Sequence, residues 1–180
     1  MPRGPSTRAV HAGVPGAEQG APLTPGPVLA APFHLSGEKD AAPYGYARDA
    51  NPTWSVVEAA LGALEDAEAV LFSSGMAAVC AVLEPALGAG DVLVAVRDGY
   101  PGVRGVAGDR LAPRGVEVRF VPTDTAAIAA ACPGATLVWV ETPSNPGLDV
   151  CDIAAVADAA HAAGARLAVD NTLATPRTPG

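Results

Sequence analysis

The chain has 180 residues, 49% of them hydrophobic and 17% charged, with a formal net charge of -8, a composition that belongs to folded globular proteins rather than disordered ones. The acidic balance argues against nucleic acid or an anionic membrane surface as a partner, and the longest apolar runs, such as 77–83 and 137–140, fall far short of the roughly 20 residues of a membrane helix. Cys80, Cys132 and Cys151 show no metal-ligand spacing and read as reduced thiols, and the eleven basic residues include one lysine, Lys39.

Residues 1–50 are crowded with Pro and Gly and lack a sustained period of 2 or 3.6, which predicts an extended arm with turns. No apolar stretch follows the arginines of 1–8, so the start does not read as a secretory signal, and the cytoplasm is the expected compartment. At Asn51-Pro52-Thr53 the pattern changes. Asn is a good N-cap, Pro suits the first helical position, and Val57, Leu61 and Leu64 recur at helical spacing, which predicts a helix over 52–65. Short apolar runs at 69–73, 91–96, 116–121, 135–141 and 166–170 then predict strands. Alanine-rich helical segments separate them at 75–87, with Pro85 as a kink, and at 101–111, 124–131 and 152–163, the last closed by Gly164. Apolar strands alternating with helices predict an α/β fold, a mostly parallel sheet with helices on both faces.

Ligands of such sheets bind outside the carboxyl ends of the strands. The segments there are polar: Ser73-Ser74-Gly75-Met76, Arg97-Asp98-Gly99-Tyr100, Glu141 to Pro146, and Asp170-Asn171-Thr172. The free N–H groups of Gly75 and Met76, at the positive end of a helix, suit a phosphate. Asp170 closes an apolar strand, either as a turn cap with Asn171 and Thr172 or as an acid facing a cationic ligand atom. No G-x-G-x-x-G follows a strand and no Walker pattern occurs, which sets nucleotide binding aside. His11, His34 and His161 have no acid or metal partner at recognisable spacing and read as structural or exposed.

Taken together, Thr7-Arg8-Ala9-Val10-His11-Ala12-Gly13, Tyr46-Ala47-Arg48, Asn51-Pro52-Thr53, Ser74-Gly75-Met76-Ala77-Ala78, Tyr100, Glu141-Thr142-Pro143-Ser144-Asn145-Pro146 and Val169-Asp170-Asn171-Thr172 make the chain resemble a known family. It is similar to the pyridoxal-phosphate enzymes of cysteine and methionine metabolism, typified by cystathionine γ-lyase and cystathionine γ-synthase. The resemblance implies the large-domain fold of fold-type I pyridoxal-phosphate transferases. It implies pyridoxal 5′-phosphate as cofactor, no metal, and an amino-acid substrate of the cystathionine or homoserine type, handled by γ-elimination or γ-replacement. It assigns Ser74, Gly75 and Met76 to the phosphate, Tyr100 to stacking on the ring, Asn145 to the ring hydroxyl oxygen and Asp170 to the pyridine nitrogen, with Thr172 beside it. Tyr46 and Arg48 would reach the phosphate of a neighbouring subunit, so a dimer or tetramer is expected of the full-length form. Tyr100 and Asp170 are the implied catalytic residues.

Two departures stand out. Pro101-Gly102-Val103-Arg104 follows Tyr100 where the family often carries Gly-Gly-Thr, and Gly102 stands where methionine γ-lyases are expected to have cysteine. The family's Schiff-base lysine lies a few dozen residues beyond the Asp-Asn-Thr segment, and Lys39, within Glu38-Lys39-Asp40, reads as a surface lysine. The expectation is therefore an arm over 1–50 and a partial cofactor-binding domain over 51–180, an inactive amino-terminal half. The alternative is a non-catalytic short module that binds pyridoxal phosphate or a full-length relative.

Overall fold

The computed structural model describes residues 4–175, so the outermost residues of the expected arm and domain, 1–3 and 176–180, lie outside the described residues. The chain divides into two units, Met1–Leu71 and Phe72–Gly180.

In the first unit the expected arm contains a short helix, α1 (Pro5–His11), which its Pro- and Gly-rich, aperiodic sequence does not predict. Pro5 opens it, where its fixed φ is already helical and its missing N–H costs nothing. Seven residues are too few for stability alone, and packing supplies the rest. The Arg8 guanidinium donates to the Ala63 carbonyl, and Gly13, at φ +75°, runs so close that a Cβ there would sit 2.9 Å from Ala60 Cβ. Further along, Pro32 and Tyr46 form an antiparallel bridge, and the Phe33 and Tyr44 rings meet at 5.5 Å. Helix α2 (Pro52–Glu65) has the predicted bounds. Asn51 caps it, accepting from the Thr53 N–H at 2.8 Å, and Asp66 closes it in the left-handed conformation.

The second unit holds α3 (Gly75–Ala86), β1 (Val92–Val96), α4 (Pro101–Gly105), β2 (Glu117–Val121), α5 (Thr125–Ala131), β3 (Leu137–Glu141), α6 (Ile153–Ala162) and β4 (Arg166–Asp170). The four strands form one parallel sheet in the order β2-β1-β3-β4. Every residue of the central strands β1 and β3 is buried, as the apolar runs 92–96 and 137–140 require, and the burial extends to Glu141 at the end of β3, while β2 and β4 are partly exposed. Alternate residues feed opposite faces. Leu93, Ala95, Leu137 and Trp139 pack with Val79 and Leu83 of α3 and Val103 of α4, whereas Val94, Val96, Val138 and Val140 pack with Ile128 of α5 and Val156 of α6. The α/β expectation, with helices on both faces, is met.

Two local expectations fail. Residues 69–73 form no strand: the Leu71 N–H donates to the Glu58 carboxylate at 2.9 Å, and Val70 and Phe72 are 70% and 47% exposed. A strand needs a neighbouring backbone for its hydrogen bonds, and among the described residues none pairs with this run. The predicted helix over 101–111 is α-helical only to Gly105 and continues as a π-helical stretch over Val106–Leu111. Gly105 and Gly108 relax the steric limits on a widened turn, which still buries Val106, Ala107 and Leu111. Pro85 falls in the last turn of α3, which ends one residue later.

Candidate functional site

The carboxyl ends of β1, β3 and β4 and the start of α3 surround a cavity of about 480 Å³. Ser74, Gly75, Met76, Tyr100, Asn145, Asp170 and Thr172 all line it, so the structure brings seven of the nine sequence-derived site residues together. Tyr46 and Arg48 belong to the first unit, where the Arg48 guanidinium lies 5.2 Å from the Tyr46 ring centre and donates to its hydroxyl at 3.4 Å.

Each side chain is placed for a local reason. Ser74 is the N-cap of α3, its Oγ accepting from the Ala77 N–H at 3.1 Å. Gly75 and Met76 are the first two helical residues, so their N–H groups have no intrahelical acceptor and point toward the cavity end of the helix dipole. A Cβ on Gly75 would meet nothing within 4 Å, so the approach to these amides is open. Tyr100 immediately precedes α4 and is 45% exposed. A Cβ at Gly102 would stand 2.6 Å from Tyr100 Cε1 and 2.7 Å from Met76 Sδ, so the ring and the thioether close over a position only glycine leaves empty.

Asp170 ends β4. Its Oδ1 accepts from the Thr172 N–H at 3.1 Å and the Thr172 hydroxyl at 2.6 Å, while Oδ2 takes no bond among the described residues. The turn-cap reading of Asp170 thus holds, and one carboxylate oxygen remains for a ligand. Asn145 is carried by a loop tied to itself: the buried Ser144 donates its N–H to the Asp149 carbonyl at 2.8 Å and accepts from the Asp149 N–H at 3.1 Å. That closure lets an exposed asparagine hold a defined place at the rim.

Three lining residues carried no assigned role in the sequence reading: Glu141, Val79 and Leu173. Val79 could have been found, because it lies one helical turn beyond Gly75 on the same face. Glu141 carries the same sequence signal as Asp170, an acid closing an apolar strand, and the two are register partners across β3 and β4. Burial pushes the Glu141 carboxyl above the ordinary glutamate range; the Tyr100 N–H opposes this, the charges of Asp170 and Asp98 add to it, and Arg104 pulls it down.

An open pair of helix-end amides, an aromatic wall and an acid with one free oxygen fit a phosphorylated heteroaromatic cation better than a neutral ligand. The fold and this cavity define an α/β protein whose strand-end residues line one cavity at the carboxyl edge of a parallel sheet. The profile of the Cys/Met metabolism PLP-dependent enzymes matches residues 6–179, and the chain belongs to that family. It is 51% identical over 178 residues to a Streptomyces coelicolor protein named as a cystathionine gamma-lyase, covering 96% of this chain and 45% of the relative. Identity to the cystathionine gamma-synthase of Mycobacterium tuberculosis is 39% over 180 residues, covering 96% and 46%. The solved structure of metB from Corynebacterium glutamicum superposes with a TM-score of 0.87 at 34% identity, covering 97% of this chain and 46% of that one. The chain therefore spans about half the length of the relatives it matches, and its fold is that of the fold-type I large domain.

Proposed function

We propose that this chain supplies the cofactor cavity of a pyridoxal-phosphate enzyme of transsulfuration, which eliminates or replaces the γ-substituent of cystathionine- or homoserine-type amino acids in the cytoplasm. The observation that carries the reading is the opening of the Gly75 and Met76 amides, the Tyr100 ring and the free Asp170 oxygen into one cavity. In this reading the two amides and Ser74 bind phosphate oxygens, aided by the dipole of α3. Tyr100 presents its ring face to the pyridine, and the Asn145 amide donates to the ring hydroxyl oxygen. Asp170 holds a proton on the pyridine nitrogen, and Thr172 fixes the carboxylate rotamer through its two hydrogen bonds. When bound, the protonated ring supplies an electron sink for negative charge formed on the substrate carbon. Residues 1–50 act as an arm, with Tyr46 and Arg48 serving the cavity of a second copy in a homo-oligomer. Residues 51–180 form part of the cofactor-binding domain.

Pyridoxamine 5′-phosphate tests the cavity, because it carries the same ring and phosphate without an aldehyde to react with Lys39 or the amino terminus. Calorimetric titration is expected to show saturable one-site binding, weakened about tenfold, or roughly 1.4 kcal/mol, by Asp170→Ala. Equal affinity for the wild-type chain and the variant would defeat the assignment.

A further inference from the structure

Glu141 is 5% exposed and aims its carboxylate into the segment 97–100 that delivers Tyr100. Its Oε2 accepts the Tyr100 backbone N–H. Gly99 is pressed against the same oxygen, since a Cβ there would lie 2.8 Å from Glu141 Oε2 and 3.0 Å from Val96 Cγ2. The rest of the segment is held from other sides. Arg104 Nη1 donates to the carbonyls of Arg97 at 2.9 Å and Gly99 at 2.5 Å, and Asp98 accepts from the Thr123 N–H at 3.0 Å and its hydroxyl at 2.9 Å. One donor in this turn, the Tyr100 amide, depends on Glu141. Its position fixes where the Tyr100 ring emerges over Gly102.

We propose that Glu141 is a positioning residue that sets the Tyr100 wall of the cavity by holding the Tyr100 amide from the end of β3. For the effect on ligand, this rests on the cofactor reading above; for the Tyr100 contact it does not. The charged and titratable groups that face Glu141 are Asp170 from β4, Asp98 and Tyr100 from the β1–α4 connection, and Arg104 from α4. Burial and the two aspartates favour a proton on Glu141, while the Tyr100 N–H and Arg104 favour its anion. The anion is the stronger acceptor, so the hydrogen bond to Tyr100 tightens as the pH rises through the raised Glu141 value.

Nuclear magnetic resonance of the labelled chain tests the contact without ligand. The Tyr100 amide proton is expected to move downfield with rising pH in a single step centred above the usual glutamate range. Glu141→Gln should abolish that step, since its amide oxygen still accepts the N–H but does not ionise. Binding then tests the consequence. Glu141→Ala, which removes the acceptor, should weaken pyridoxamine phosphate about tenfold, Glu141→Gln should restore affinity to within about threefold, and inorganic phosphate should bind all three alike. A Tyr100 amide whose titration survives Glu141→Gln overturns the inference, as does Glu141→Ala binding the ring probe like wild type. A wild-type chain that shows the Tyr100 step but binds no ring probe overturns the cofactor reading and upholds the contact.

Discussion

At the scale of single residues, the cavity is shaped as much by missing side chains as by those present. Gly102 is the clearest case, because the space its Cβ would take is filled by Tyr100 Cε1 at 2.6 Å and Met76 Sδ at 2.7 Å. Real Cβ atoms do not approach so closely, so Gly102→Ala must move one or both neighbours. Each is the far part of a rotatable side chain rather than backbone, so relief comes from displacing them into the cavity at little cost to the fold. The expected outcome is a loss of about tenfold, near 1.4 kcal/mol, in affinity for pyridoxamine phosphate, with a thermal midpoint within a few degrees of wild type. Unchanged affinity would mean that the ring and thioether relax away from the ligand instead. The sequence alone marked Gly102 only as a departure from a subclass pattern, because its steric role depends on Met76, 26 positions earlier, closing over the same point.

At the scale of elements, what could be read in advance was whatever short-range chemistry decides. Asn51, Ser74, Asp124 and Asp152 each cap the helix predicted to follow, and each accepts from a backbone N–H two or three residues on. The apolar run over 69–73 resembles 92–96 in composition, yet only the latter lies between two neighbouring strands. Strand formation is a non-local property, and a run of five residues does not encode its partner. Helix α1 was hidden for the opposite reason, since a Pro- and Gly-rich stretch without periodicity gains its helix from contacts to Ala60 and Ala63. Asn51 joins the two cases. Beyond the legible cap, its buried Nδ2 donates to the Val28 carbonyl at 3.1 Å and the Ala30 carbonyl at 3.4 Å, tying the arm to α2. Asn51→Ala loses the cap, worth about 1 kcal/mol, and leaves those carbonyls short of a donor, another 1 kcal/mol or so. Urea unfolding should therefore show a deficit of about 2 kcal/mol, and Asn51→Ser, which keeps only the cap, should recover about half of it. Equal losses for the two variants would mean that the arm ties carry the whole effect.

At the scale of the whole molecule, the strand-end rule located the cavity from sequence, because a parallel sheet presents its loops at one edge whatever their composition. The contact between Glu141 and Tyr100 was not legible, since it joins positions 41 apart that only the parallel register of β1 and β3 brings together. The same sheet has a property that no local pattern announced. Among the described residues nothing pairs with the outer edge of β4, and a largely apolar groove runs between Leu167 and Ala168 of β4 and Val82 and Pro85 of α3, with Arg166 also lining it and donating to the Ala86 carbonyl at 3.4 Å. Val82 is 40% exposed there, and Leu29, in the first unit, is 94% exposed. An open strand edge next to uncovered apolar surface is a template for pairing with other chains. The chain is accordingly expected to enhance the fluorescence of an anilinonaphthalene dye and to sediment as a concentration-dependent mixture. Val82→Lys places a charge over the groove on a helix face that tolerates it, so it should cut dye binding and association by more than half while shifting stability by no more than about 0.5 kcal/mol. If the groove is not the sticky surface, Val82→Lys will associate as wild type does, and charging Leu29 will be the substitution that restores a single sedimenting species.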